Sequence, residues 1–231
     1  MASEISLPKP KRFPIRPRSP RLARAMQSCL FILAVNWCLQ GMRGMDRKEL
    51  GFRLLAELAL AALLAAGAAR LLAPVPALLL GLAAAHSLSF TLNGQVWVCA
   101  RYCRSWRGDA AAVERWLQRV AAELQALPWL REAVCIGSRG DQGLIVGARS
   151  DLDLRLIFPA GATAWLRVNL LLLGLRTRAF LAGIPLDLYA YDGPRSLLRF
   201  DQRERLLVLA DRDGRLAALF PARVMPWQGA P

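Results

Sequence analysis

Histidine is almost missing from this chain. The single residue, His86, lies in an apolar run, so neither a Ser-His-Asp triad nor a histidine-ligated metal can carry its chemistry. It reads instead as a bundle-facing or interfacial side chain. Cysteine is sparse as well: Cys29, Cys38, Cys99, Cys103 and Cys135 form no Cys-x-x-Cys pair and are odd in number. That pattern supports neither a disulfide framework nor a zinc site, and it points to a reducing, cytosolic setting. Acidic residues are few, 17 against 31 lysines and arginines, for a formal charge of +14. No internal repeat is visible. A cleavable signal is not expected either, because the apolar stretch Cys29 to Val35 is short, broken by Asn36, and followed by no small-residue cleavage site.

What the chain does contain is apolar surface. Its hydrophobic content of 55% is high for a soluble protein, and 231 residues leave room for one ordinary domain plus something smaller. The excess of positive charge would ordinarily suggest nucleic acid. Here the basic residues gather beside apolar segments, which makes anionic phospholipid the first partner to consider and disfavours nucleic acid. Little chain follows Gly214 from which to build a separate nucleic-acid-gripping domain.

Residues 1–25 carry Lys9, Lys11, Arg12, Arg16, Arg18, Arg21 and Arg24 among several prolines, a composition expected to stay irregular as a basic cytoplasmic tail. Residues 26–108 read as a membrane-associated helical region. Within it, Met26 to Met42 is expected as an interfacial helix, and Leu54 to Ala73 and Ala77 to Leu92 as a hairpin broken at Pro74-Val75-Pro76. Arg43, Arg47, Lys48 and Arg53 precede the hairpin, while Arg101, Arg104 and Arg107 follow it. The positive-inside bias therefore puts both flanks in the cytoplasm, at an inner (cytoplasmic) membrane. Glu57 can reach the interface or face a partner helix. The competing reading is an Ala/Leu-rich hairpin buried in a soluble protein. No decisive small-xxx-small seam for helix pairing stands out, and the oligomeric state stays open.

Composition changes at Asp109, and residues 109–231 read as a globular domain. Apolar periodicity predicts a helix over Ala111 to Leu127, a strand over Ala133 to Ile136, a strand over Asp151 to Phe158, a helix over Thr163 to Leu181, and strands over Leu186 to Tyr191 and Leu206 to Ala210. The fold class expected is α/β (α+β), a small mixed sheet with helices on one face. The leucines Leu170 to Leu173 are assigned to core packing.

Chemistry concentrates at Gly137-Ser138 and at Ser150-Asp151-Leu152-Asp153-Leu154. Side chains alternate along a strand at roughly 3.3 Å per residue, so Asp151 and Asp153 share one face while Leu152, Leu154 and Leu156 take the other. Two carboxylates at that spacing suit a pair of Mg2+ ions roughly 3.5 to 4 Å apart, the arrangement used in phosphoryl chemistry. Gly137-Ser138 gives a small-residue turn whose backbone N–H groups can meet a phosphate. Asp187, in the alternating segment Ile184 to Tyr191, can complete a carboxylate triad if its strand pairs beside the first. Asp192, Asp201, Asp211 and Asp213 fall in turns or caps and are set aside.

These residues resemble the minimal nucleotidyltransferase domain of the DNA polymerase β-like superfamily, whose pattern is a Gly-Ser turn, an Asp-x-Asp strand and a later single Asp. The resemblance covers roughly Ala110 to Leu216. It implies that Gly137 and Ser138, with Arg139 and Ser150 beside them, bind a nucleoside triphosphate (NTP). It also implies that Asp151, Asp153 and Asp187 hold two Mg2+ ions and form the catalytic set. The segment between Ser138 and Asp151 is longer than the family's usual one. The activity implied is transfer of a nucleoside monophosphate from NTP to a hydroxyl or phosphate on a membrane-associated acceptor, a lipid or glycan. The alternatives are AMPylation of a partner protein, or an inactive membrane-anchored nucleotide-binding or scaffold module.

Overall fold

The computed structural model describes residues 11, 13, 17–39, 45–137 and 149–228. Helix α1 (Pro20–Met26) begins inside the stretch expected to be irregular, because Ser19 accepts from the Leu22 N–H and Pro20 takes the first helical position. Helix α2 (Cys29–Leu39) follows at a bend of 65°, in place of one interfacial helix from Met26. Lys11 of the tail is held by protein. Its backbone and Gln27 exchange hydrogen bonds of 2.8 Å, and its ammonium donates to Asn36 at 3.0 Å.

Helices α3 (Arg47–Ala68) and α4 (Pro74–Leu92) form the hairpin, and their 22 and 19 residues are long and apolar enough to cross a bilayer. Only 11% and 22% of their apolar windows are buried, which decides against a hairpin enclosed by protein and for membrane association. The two helices meet at a small-residue seam on α4: Ala77, Gly81 and Ala85 are buried there. A Cβ on Gly81 would stand 2.7 Å from the Ala61 carbonyl oxygen. A small-xxx-small pattern therefore does exist, spent on closing the hairpin. Across it, Glu57 faces a partner helix: its carboxylate lies 2.7 Å from His86 Nδ1, and His86 Nε2 lies 2.8 Å from the Trp37 carbonyl oxygen.

The helix of α3 starts two turns before the expected Leu54. Asp46 caps it by accepting from the Lys48 N–H at 2.6 Å, and its first turns dock onto the globular domain. Helix α5 (Gln95–Ala100) follows the hairpin and packs on α2. There Cys29 is disulfide-bonded to Cys103, 74 residues on, which corrects the expectation of no disulfide. Spacing could not reveal it, because the pair is brought together by the packing of α2 on α5.

The globular part opens with α6 (Ala110–Ala126), capped by Asp109, and continues through β1 (Glu132–Ile136), β2 (Leu152–Ile157), α7 (Ala162–Leu181), β3 (Leu186–Tyr191), β4 (Leu206–Asp211), α8 (Arg215–Leu219) and β5 (Val224–Pro226). The fold is mixed α/β with a five-stranded sheet in the order β3-β2-β1-β4-β5. β1 is antiparallel to β2 and β4, whereas β2 and β3 run parallel. One face carries Cys135, Leu152, Leu154, Leu156, Leu186 and Leu188 against α6 and α7. The other face is not bare, as helices on one side only would leave it. α8 and the 3-10 turn Pro194–Arg199 cover Val134, Ile136 and Ile157.

Candidate active site

Asp153 and Asp187 stand opposite each other in the parallel register of β2 and β3, on the face away from α6 and α7. Asp151 comes one residue before β2 begins, two positions before Asp153, so the sheet gathers the three carboxylates near the starts of two adjacent strands. Their side chains are 18%, 22% and 21% exposed for Asp151, Asp153 and Asp187, enough for a small solute to reach them. Gly137, just past β1, has φ of 78°, and a Cβ there would lie 3.1 Å from Asp153 Oδ2. Glycine is thus favoured twice, by the left-handed backbone and by the carboxylate beside it. Ser150 is half-buried directly ahead of Asp151. Ser138 and Arg139 lie outside the described residues.

Two arginines that the motif does not include hold the carboxylates. Arg155, buried on the same face of β2, reaches Asp187 Oδ2 at 3.0 Å and Asp153 Oδ1 at 3.5 Å. It donates further to the carbonyls of Leu154 and Asp187, at 2.8 and 2.7 Å, and its guanidinium lies 4.9 Å from the Tyr189 ring centre. Alternation along β2 signals it, since Arg155 shares the parity of Asp151 and Asp153. Arg101, just after α5, donates to Asp151 Oδ1 at 2.6 Å. It is kept in place by Arg149, which donates to the carbonyls of Arg101 and Cys103 at 2.6 and 2.9 Å. No sequence signal connects Arg101 to a residue 50 positions away.

The electrostatics are those of a site short of positive charge. Burial raises the Asp153 pKa well above its ordinary value, and the charges of Asp151 and Asp187 push it further. Burial also raises that of Asp151, against the opposing pull of Arg101. Burial works to lower the Arg155 pKa, but Asp187 and Asp153 outweigh it and the guanidinium is held above its usual range. Among the described residues, no three His, Cys, Asp or Glu side chains are grouped as they would be around one metal ion. Asp151 is directed to Arg101, and Asp187 to Arg155.

The aspartates set aside from the motif have structural partners. Asp192 pairs with Lys48 at 2.8 Å, Asp213 with Arg131 at 2.9 Å, Asp201 accepts from the Arg203 N–H, and Asp211 accepts from the first N–H groups of α8.

β3 is the sheet edge nearest the hairpin, and the hairpin covers it. Glu49, in the first turn of α3, accepts from the Ala190 N–H at 3.1 Å, while Arg176 of α7 donates to the Leu188 carbonyl. Glu49 and Arg176 pair at 2.5 Å, and Asn93 at the end of α4 accepts from Arg176 at 3.1 Å. The strand that carries Asp187 is therefore clamped to the base of both membrane helices.

Comparison with protein-family models, with curated proteins and with solved structures finds no match to this chain.

Proposed function

We propose that the protein is a membrane-tethered nucleotidyltransferase of the polymerase β-like type, moving a nucleoside monophosphate from NTP to a hydroxyl or phosphate on a membrane-associated lipid or glycan. The observation that carries this reading is the side-by-side register of Asp153 and Asp187, with Asp151 adjacent and Gly137 against Asp153. The donors are of the kind Mg2+ takes, hard carboxylate oxygens partly open to solvent, and burial, with neighbouring carboxylates, raises the pKa values of Asp151 and Asp153. Asp151, Asp153 and Asp187 would hold the ions, which when bound would stabilise charge on the reacting phosphate. Arg155 would orient Asp187 from behind. Gly137 would leave room for a phosphate beside Asp153, and Ser138, Arg139 and Ser150 would complete the nucleotide contacts.

The hairpin supports a membrane-bound acceptor, and Arg47 and Lys48 before it with Arg104 and Arg107 after it support a cytoplasmic placement, where NTP is available. The test is to supply purified full-length protein with labelled NTPs, Mg2+ and a membrane extract. Label should enter a lipid or glycan fraction, and transfer that persists unchanged in Asp151→Asn/Asp153→Asn overturns the reading. A labelled protein band would instead identify AMPylation. The ion pairs of Arg101 and Arg155 favour one second reading, an inactive anchored module, which absence of Mg-NTP binding by calorimetry would select.

A further inference from the structure

Helix α7 divides its circumference in a way that ordinary core packing does not explain. Val168, Leu172, Leu175 and Ala179 face the sheet and are buried. Next around the helix come Trp165, Asn169 and Arg176, which face the hairpin. The Trp165 indole donates to the Lys48 carbonyl at 2.9 Å and its ring meets Phe52 edge-on at 5.4 Å, while Arg176 holds Glu49 and Asn93. Continuing in the same direction at 3.6 residues per turn, the next stripe is Leu166, Leu170, Leu173 and Leu181, which are 45%, 54%, 40% and 77% exposed. Beyond that stripe stand Arg167 and Arg178, both exposed, Arg178 pairing with Glu123. The leucine run assigned from sequence to the core is thus split, Leu172 inward and Leu170 and Leu173 outward.

An exposed stripe over four turns, leucine except for half-buried Thr177, needs a partner, and its neighbours identify it. It borders the side of α7 that touches α3 and α4, whose own outward leucines, among them Leu55, Leu58, Leu79 and Leu88, are exposed along the two candidate spans. Leu173 belongs to both surfaces: with Phe52, Leu60 and Leu92 it walls a cavity of about 170 Å³ between α7 and the hairpin. Apolar side chains of the spans and of α7 therefore meet at this cavity, whose floor also carries Glu49, Arg53, Asn93, Asn169 and Arg176. On the far margin stand Arg178, held by Glu123, and the exposed Arg167, a long cationic side chain of the kind that sits at a lipid boundary.

We propose that α7 is a third membrane-contacting helix, lying in the bilayer interface with Leu166, Leu170, Leu173 and Leu181 in the hydrocarbon and Arg167 at the headgroups. This places the globular domain against the membrane surface as well as on a tether, and it does not depend on the catalytic reading above. The test uses the full chain carrying Cys38→Ser, so that the exposed native thiol takes no label, reconstituted in nanodiscs of phosphatidylethanolamine and phosphatidylglycerol. Nitroxides are placed at Leu170→Cys, at Leu166→Cys as a second reporter, and at Arg119→Cys on the exposed face of α6 as the water reference. The ratio of collisions with oxygen to collisions with a polar nickel chelate should be at least severalfold higher at positions 166 and 170 than at 119. Equal ratios overturn the proposal. Protection from both reagents overturns it too, because it would mean that a second protein copy covers the stripe.

Discussion

Removing Arg155 is the sharpest test of how the site is built. The guanidinium is 4% exposed and lies against two carboxylates, so Arg155→Leu leaves Asp153 and Asp187 side by side with no cation between them. Breaking a buried pair in this way costs ~3–5 kcal/mol, and the partial exposure of the carboxylates argues for the lower end, about 3 kcal/mol. For a unit of this size, that lowers Tm by on the order of 10 °C.

The pH dependence follows from the direction of the shifts. The folded-state pKa of Asp153 is already raised above its unfolded value, chiefly by burial. Between those two values the folded protein binds more protons than the unfolded one, so stability is fully present below the unfolded pKa and falls as pH rises through the folded one. Loss of Arg155 widens that interval. The variant should approach its parent's Tm in acid and diverge from it toward neutral pH. If the carboxylates take Mg2+, the ion replaces the missing charge, and Mg2+ should raise the Tm of Arg155→Leu more than that of the parent. Scanning calorimetry of the full chain in detergent micelles, from acid to neutral pH and with and without Mg2+, provides the readings. A destabilisation below about 1 kcal/mol, or one that does not change with pH, refutes the reasoning.

Gly137→Ala should destabilise by about 1 kcal/mol or more, since it demands φ of 78° from an L-residue and sets a methyl 3.1 Å from Asp153 Oδ2; denaturant unfolding measures the stability, and the label-transfer assay should show a larger fractional loss of activity than of stability. Gly81→Leu should separate α3 from α4, because even a Cβ would collide with the Ala61 carbonyl at 2.7 Å; a pair of spin labels across the hairpin should report a wider distance, whereas Gly67→Leu, where a Cβ meets nothing, should leave it unchanged. Maleimide trapping in intact cells without reductant should leave Cys29 and Cys103 unmodified if their disulfide persists. Modification of both would show a dithiol in the cell and refute the bond.

The parts of this structure that were legible in the sequence are those with a strong period. Alternation located β2 and β3 to within a residue and put Asp151 and Asp153 on one face, whereas Asp187 joins them through the register of β3 on β2. Arg155 shares that parity, but it gains importance only once β3 is known to lie beside β2. Short elements escaped for a physical reason. α5 and α8 begin at left-handed Gly94 and Gly214 without a side-chain cap, and β5 has three residues, too few for any period to show. The start of α3 was hidden differently. The expectation placed Arg47 to Arg53 outside the helix as a charged flank, but Glu49 and Arg53 are buried against the globular domain, so charge there marks docking as well as a membrane boundary.

That docking links the hairpin to the site through one strand. Edge strands expose unpaired backbone groups that must be covered, and β3 has the Ala190 N–H covered by Glu49 from a membrane helix and the Leu188 carbonyl covered by Arg176 from α7. Asp187 lies one residue before Leu188 on that strand, and its side chain meets Arg155 on the opposite face from α7. A second tie runs from the other end of the hairpin: Arg101, two residues before the disulfide-bonded Cys103, holds Asp151. Asp151 thus has its partner in the segment that follows the hairpin, and the strand of Asp187 has its edge covered by the first turn of α3. Truncation at Asp109 would remove Glu49, Asn93 and Arg101 together, and with them the edge cover of β3 and the partner of Asp151. The hairpin is consequently part of what shapes the site, not only a tether for it.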